Sequence, residues 1–453
     1  MEFKDIERQL AHLGQMDLPA ERKERIRLKL REQMRRPISQ KPRRRLSMAS
    51  LGVAVCAVVL AGIMTSVIQH SRINLREPAG ADRSNATKNS LTTPFETNPG
   101  LQNIQMVSSQ VGYGTAPVAG TLSSRVFRTT DGGHSWTDVT PSQLAKNAQN
   151  VGPAKGAIVH FLDTKHGFVV VSMMSTDAQH DNATVLHPTV FATGDGGATW
   201  TESVIPTKTT FEVPIDVEFV SPQTGFVLTK FNPQADETPT RQIYRTTDGG
   251  KHWTLVSTTQ GMQDLNDDSS FNWIRFINEQ IGFTSENGPS AMSSLMRTTD
   301  GGRTWSRVQL PASPSSTLKQ LIPPTVFPNG VVLVAGWSTD GSPSTATLTV
   351  YRSTDFGRTF RELGSVAFTP KSTTYEGGFP DESHGWFWIG GNLVRTNDGG
   401  RTLLLVHEGA PVPVEGTSMI FVDANTGYAV GQNGLWTTHD GGASWTLIGN
   451  GHR

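Results

Sequence analysis

The sequence predicts an all-β fold: a seven-bladed β-propeller of four-stranded blades, preceded by a short helical N-terminal segment and a single transmembrane helix. Three observations predict it. A nine-residue aspartate motif returns seven times from residue 101 onward, and a second, aromatic–glycine motif precedes each copy. An uncharged run, residues 46–68, separates a basic N-terminus from an acidic remainder. Composition agrees. Glycine supplies 45 of 453 residues, above the usual share of roughly 7%, which suits many tight turns. Lys+Arg and Asp+Glu are both 40, and this zero balance argues against a nucleic-acid binder, which should be basic. The one cysteine, Cys56, excludes an intrachain disulfide framework and a cysteine zinc site.

The zero balance hides two halves. Residues 1–45 hold 14 Lys/Arg and 7 Asp/Glu, a net of +7, and the other 408 residues carry a net of −7. Phe3, Ile6, Leu10 and Leu13 fall on one helical face, and Ile26, Leu30 and Met34 on another, so residues 1–36 read as two short helices. They suit either attraction to anionic headgroups or a cytoplasmic partner. Residues 46–68 carry no charge over 23 positions, enough for a hydrocarbon core that needs about 20 apolar residues. Lys41, Arg43, Arg44 and Arg45 stand directly before them. The positive-inside rule then expects a single-pass protein with a cytoplasmic N-terminus and the long C-terminal part outside the cell. A cleaved signal peptide fits less well, because its n-region would be 45 residues long and no A-x-A site closes the run. Residues 69–100 are rich in Asn, Thr, Ser, Pro and Arg and read as a flexible stalk. Residues 101–453 are the propeller.

The aspartate motif is clearest as RTTDGGHSW (Arg128–Trp136), RTTDGGKHW (Arg245–Trp253) and RTTDGGRTW (Arg297–Trp305). Its aspartates are Asp131, Asp195, Asp248, Asp300, Asp355, Asp398 and Asp440. Each has Ser or Thr two residues before it and Gly two residues after it. The carboxylate can accept the hydroxyl and turn amides, and glycine permits positive φ. Seven such carboxylates on like turns read as structural. The companion motif appears as HFLDTKHGFVV from His160, EFVSPQTGFVL from Glu218, RFINEQIGFTS from Arg275, GFPDESHGWFW from Gly378 and IFVDANTGYAV from Ile420. Degenerate copies start at Met106 and Val326. The two motifs alternate, so each unit of four short strands stacks on its neighbours around an axis. The Trp after each box should anchor the core between blades.

This pattern is the Asp box, or bacterial neuraminidase repeat. With its companion, residues 101–449 resemble the photosystem II stability/assembly factor-like family. The resemblance implies a seven-bladed propeller with Asp boxes on the outer rim of one face. The same repeat serves sialidases, xyloglucanases, sorting receptors and assembly factors, so function has to come from a site. The N-terminal 100 residues depart from the photosynthetic members, and a role in photosystem assembly is not carried over.

Asp boxes mark one face, so the second–third loops and the connectors between blades build the other. The long segments are 140–156, 172–188, 230–241, 256–271 and 310–325, while units 6 and 7 have short loops. Two loops carry candidate ligand-binding groups: Asp177, His180 and Asp181 with His187, and Asp264, Asp267 and Asp268. Arg128, Arg245, Arg297, Arg352 and Arg395 share one place on third strands. They form a row that could meet an acidic partner, or pair with Asp163, Asp381 or Asp423 of the first–second turns. No pattern implies a catalytic residue, a metal site or a cofactor. The leading expectation is a non-enzymatic binding, scaffold or sensor module for a protein or envelope ligand. A sialidase-like glycoside hydrolase and a regulator acting through residues 1–45 are the alternatives. The hydrolase lacks its F/Y-R-I-P motif here, and paired carboxylates at about 5–10 Å would revive it.

Overall fold

The computed structural model describes residues 99–450 apart from 119–123, 147–156, 178–182, 208–211, 232–239, 259–272, 288–292, 312–316, 340–344, 373–374, 408–417 and 432–433. The two expected N-terminal helices, the expected membrane span 46–68 and the stalk through residue 98 lie outside the described residues. Among the described residues no helix is long and apolar enough to cross a membrane.

Seven antiparallel sheets follow one another along the chain. Blade 1 is β1 (Asn103–Met106), β2 (Gly112–Pro117), β3 (Ser124–Thr129) and β4 (Thr137–Asp138). A short helix, α1 (Ser142–Lys146), follows it. Blade 2 is β5 (Ile158–Phe161), β6 (Gly167–Asp177), β7 (Ala183–Thr193) and β8 (Thr201–Val204). Blade 3 is β9 (Glu212–Phe219), β10 (Gly225–Phe231), β11 (Thr240–Thr246) and β12 (Thr254–Thr258). Blade 4 is β13 (Ile274–Phe276), β14 (Gly282–Asn287), β15 (Ser293–Thr298) and β16 (Ser306–Val308). Blade 5 is β17 (Thr317–Leu321), β18 (Thr325–Val326), β19 (Val332–Thr339), β20 (Ala346–Ser353) and β21 (Arg361–Phe368). Blade 6 is β22 (Tyr375–Gly378), β23 (Gly385–Ile389), β24 (Asn392–Thr396) and β25 (Leu404–His407). Blade 7 is β26 (Met419–Phe421), β27 (Gly427–Gly431), β28 (Gly434–Thr438) and β29 (Thr446–Asn450).

Two segments depart from the sequence reading. Blade 5 has a split first strand: β17 pairs with the far end of β19 and β18 with its near end. Pro323 and Pro324 lie between the halves, and prolines cannot donate to a ladder. Part of the expected loop 310–325 is therefore strand. Likewise most of 172–188 is not loop but a long hairpin, with β6 and β7 paired from Gly167↔Thr193 to Asp177↔Ala183.

The Asp box closes each outer turn as the residue types require. In all seven boxes the Ser or Thr hydroxyl donates to Asp Oδ1 at 2.7–2.9 Å. The same hydroxyl accepts the amide of the second glycine at 2.8–3.0 Å. That glycine has positive φ in every box, and the residue before it does too. Blade 5 alone puts a side chain, Phe356 at φ 60, where the others have glycine.

Aromatic rings join the blades. The second-strand ring of one blade lies flat on the first-strand ring of the next: Tyr113 on Phe161 at 3.3 Å, Phe168 on Phe219 at 3.3 Å, Phe226 on Phe276 at 3.6 Å and Trp386 on Phe421 at 4.0 Å. The Asp-box tryptophan then meets that first-strand ring edge-on, as Trp253 meets Phe219 at 6.1 Å and Trp445 meets Phe421 at 5.9 Å. The ring closes by the same means. Tyr428 of blade 7 is buried with Ile104, Met106 and Trp136 of blade 1. Its hydroxyl donates to the Ser109 carbonyl at 2.7 Å, as the Tyr113 hydroxyl donates to Thr164 between blades 1 and 2 at 3.0 Å. Among the described residues blades 1 and 7 each hold four consecutive strands, with no strand exchanged between them.

Candidate functional site

The first strands line the axis. Their alternation puts one set of side chains into the blade core and the other toward the centre. The residue just before each first-strand aromatic, or before Met106 in blade 1, is Gln105, His160, Glu218, Arg275, Val326, Gly378 and Ile420 in blades 1 to 7. Five of these seven positions, all but Gly378 and Ile420, line a cavity of about 760 Å³, with Asp216, Ile104, Ile158, Ile215, Pro324 and Thr325. A second lobe of about 400 Å³ shares Ile104, Thr325 and Ser418 with it and extends to Gly377, Gly378 and Ile420. Of the ring positions, the polar ones, Gln105, His160, Glu218 and Arg275, come from blades 1 to 4, and Val326, Gly378 and Ile420 from blades 5 to 7.

Polar channel residues bind the next blade. An innermost strand has an unpaired edge whose amides and carbonyls need partners. Gln105 Oε1 accepts the Phe161 amide at 2.7 Å and Gln105 Nε2 donates to the Phe161 carbonyl at 3.1 Å. His160 Nε2 accepts the Phe219 amide at 3.2 Å, and Thr325 Oγ1 accepts the Phe379 amide at 3.1 Å. Asp216 Oδ2 accepts the Ile274 amide at 2.9 Å and Arg275 Nη1 at 2.7 Å. The same Arg275 nitrogen lies 3.7 Å from Glu218 Oε2, and His160 Nδ1 lies 4.0 Å from that oxygen.

The enclosed setting shifts these groups. Burial pushes the Glu218 carboxyl up to about 8, against the pull of Arg275 and helped by the Asp216 charge. Burial pushes His160 down to about 4, and the charge of Arg275 adds to this. For Arg275 burial opposes the charge, but Asp216 and Glu218 outweigh it and raise its pKa. At neutral pH the arc therefore holds a charged Arg275, a protonated Glu218 and a neutral His160.

The arginine row lies elsewhere, each member under the Asp-box turn of the following blade. Arg245 Nη2 is 3.4 Å from Glu279, and Arg352 pairs with Glu382. Arg297 Nε donates to the Phe356 carbonyl at 2.8 Å. Arg128 packs beside Gly196 and over the Tyr113 ring, and Arg395 beside Gly441. The expected pairing with Asp163, Asp381 or Asp423 does not form. Those carboxylates accept the amides of their own turns, and Glu279 and Glu382 take Arg245 and Arg352. Asp177 ends β6; His180, Asp181, Asp264, Asp267 and Asp268 lie outside the described residues. His187 pairs across the blade 2 hairpin with Met173. Among the described residues no group of three metal-ligating side chains comes together.

The sequence reading passed over the channel ring, although the quoted companion motifs begin on four of its polar and small members. The available signal was position: the residue before the motif aromatic must face the axis if the aromatic faces the core.

Comparison with known proteins follows the repeat. Residues 198–320 match the family model of the photosynthesis system II assembly factor YCF48. Among solved structures, YCF48 bound to a D1 peptide is similar at 16% identity, over 77% of this chain and 96% of that one, with a TM-score of 0.48. YCF48 from Cyanidioschyzon merolae is similar at 16% identity, over 76% and 97%, with a TM-score of 0.45. The GH74 xyloglucanase from Xanthomonas campestris is similar at 12% identity, over 79% of this chain and 56% of that one, with a TM-score of 0.46. No curated protein matches the chain. The matched residues run from the second Asp box into the first strand of blade 5, so the likeness to this family model covers the middle of the propeller.

Proposed function

We propose that the chain is a membrane-anchored, non-enzymatic binding module whose propeller takes a segment of a protein partner outside the cell. The observation that carries this reading is the two-sided central channel. Its size lies within the range of ligand sites, about 300–1,000 Å³, and its lining mixes apolar walls with a few convergent polar groups. Most of those polar groups also hold neighbouring blades together, so the site is rigid. The anchor rests on the uncharged run 46–68 behind Lys41 and Arg43–Arg45, which leaves residues 1–45 in the cytoplasm.

A second reading, glycoside hydrolysis, has one feature in its favour: Asp216 and Glu218 both lie within 4 Å of one Arg275 nitrogen. Against it, both Asp216 oxygens are committed, Oδ1 to the Val217 amide and Oδ2 to Ile274 and Arg275. A paired base needs a free oxygen for water.

The test is crosslinking and capture of the full chain in its native membrane, wild type against Gly378→Leu. A Cβ at Gly378 would meet only Thr325 Oγ1, at 3.4 Å, so a side chain can start there, and leucine is chosen to extend into the second lobe. The reading expects a partner captured by the wild type and lost from the variant. Equal capture by both would put the partner site off the channel. Turnover of aryl glycosides by the wild type but not by Glu218→Gln would install the hydrolase reading.

A further inference from the structure

We infer that the central channel takes a carboxylate carried on an apolar body, with the carboxylate at Arg275, Glu218 and His160 and the body in the lobe beside Gly377 and Gly378. This rests on the reading of the channel as the ligand site, and it names the chemistry of the ligand.

The geometry leaves a gap among three polar groups. Glu218 Oε2 stands 3.7 Å from Arg275 and 4.0 Å from His160, both beyond hydrogen-bond distance. Exposures of 14% for Glu218, 17% for His160 and 29% for Arg275 open these side chains to the channel. What faces the gap is a set of donors. Asp216, the acceptor, has spent its oxygens on Val217, Ile274 and Arg275. Arg275 has five N–H groups in a fork that suits a carboxylate, and its described bonds to Asp216 and Ile274 both use Nη1. His160 Nε2 lies 3.2 Å from the Phe219 amide and 3.3 Å from the Phe219 carbonyl, and its other nitrogen, Nδ1, is the one nearer Glu218. Glu218 accepts the Phe276 amide and keeps its proton to about pH 8, so it can donate. A ligand that answers the Arg275 guanidinium and the Glu218 hydroxyl brings acceptors and negative charge. An amine would bring more donors to a guanidinium.

The opposite wall is built to receive something apolar. Val326 and Ile420 line it with Thr325 and Ser418, and blade 6 contributes glycine at the ring position where every other blade has a side chain. Gly377 is fixed as glycine, since a Cβ there would come within 2.3 Å of the Trp386 carbonyl. Gly378 is not fixed in this way, and its missing side chain keeps the lobe open.

Glu218 is faced by Asp216 on its own strand, His160 on β5 and Arg275 on β13, and by no other charged group lining the cavity. Above pH 8 its ionised form would repel a bound carboxylate, so affinity should fall with rising pH, by up to tenfold per unit.

The experiment is calorimetric titration of the full chain in detergent with hexanoate, hexylamine and hexanol, and with a short apolar peptide as its free acid and its amide. Hexanoate, or the peptide acid, should bind at least tenfold tighter than the amine, the alcohol or the peptide amide. Binding by hexanoate identifies a free small acid as sufficient, and binding by the peptide acid alone identifies a chain terminus. Glu218→Gln, which keeps a donor and cannot ionise, should bind at pH 9.5 at least fivefold tighter than the wild type. Gly378→Leu should weaken hexanoate tenfold and leave acetate nearly unchanged. No carboxylate binding, or equal binding of hexylamine, overturns the inference. If Gly378→Leu still loses the membrane partner in that case, the channel stays the partner site and only the carboxylate chemistry falls.

Discussion

The Asp-box carboxylates work below their ordinary range. In Asp440 the Ser444 hydroxyl and amide and the Thr438 hydroxyl hold the pKa down to about 2. In Asp248 the His252 amide leads, opposed by burial, with the same result. In Asp131, Asp195 and Asp300 burial opposes the shift, and hydrogen bonds from the turn outweigh it. Depressed carboxyls contribute stability that is present above about pH 4 and lost as the pH falls toward 2. Acid unfolding followed by circular dichroism should therefore be steep across that window, with uptake of several protons. Replacing Asp440 and Asp248 with Asn should make the transition shallower. At Gly357 a second residue-scale prediction applies. It has φ 73, and a Cβ would fall 2.3 Å from the Phe283 ring of blade 4. Gly357→Ala should cost about 2–4 kcal/mol in denaturant unfolding, from left-handed backbone strain and overpacking together. The arginine row shows what residue types alone leave open. The sequence names an arginine before five of the seven turns, but whether one such as Arg352 meets Asp381 or Glu382 depends on which carboxylate its own turn has already used.

The stacked aromatic pair is the unit of blade contact. Phe219 lies flat on Phe168 of blade 2 and edge-on to Trp253 of its own blade. Phe219→Ala should cost about 3–5 kcal/mol, and thermal unfolding would show it as a lowered midpoint with one transition retained. Seven blades and their order were legible because both motifs recur and alternate. The split first strand of blade 5 was not, because Pro323 and Pro324 interrupt a strand whose ends still pair with β19. The channel ring was legible in place and not in kind. Its position is fixed by the aromatic that follows, but Gln105, His160, Glu218, Arg275, Val326, Gly378 and Ile420 share no chemistry, so no repeat of type announces them. Its polar arc arises only when the ring sets four successive blades side by side.

At the scale of the molecule, closure is one more blade contact. Tyr428 does between blades 7 and 1 what Tyr113 does between blades 1 and 2. Tyr428→Phe and Tyr113→Phe should each cost about 1 kcal/mol, the net worth of one hydrogen bond. A much larger loss from Tyr428→Phe in equilibrium unfolding would mark closure as a distinct, weaker seam. The rigid ring serves the channel at its axis. There Gln105, His160, Glu218 and Arg275 meet Val326, Gly378 and Ile420, and this axis is the proposed place of recognition. The most direct measurement is site-specific photocrosslinking of the full chain in its native membrane. One chain carries a photoreactive side chain at Ile420 in the channel, another at Leu404, which is 45% exposed on the outer strand β25. A partner adduct from Ile420 and none from Leu404 is the predicted result; an adduct from Leu404 with none from Ile420 would contradict recognition at the axis.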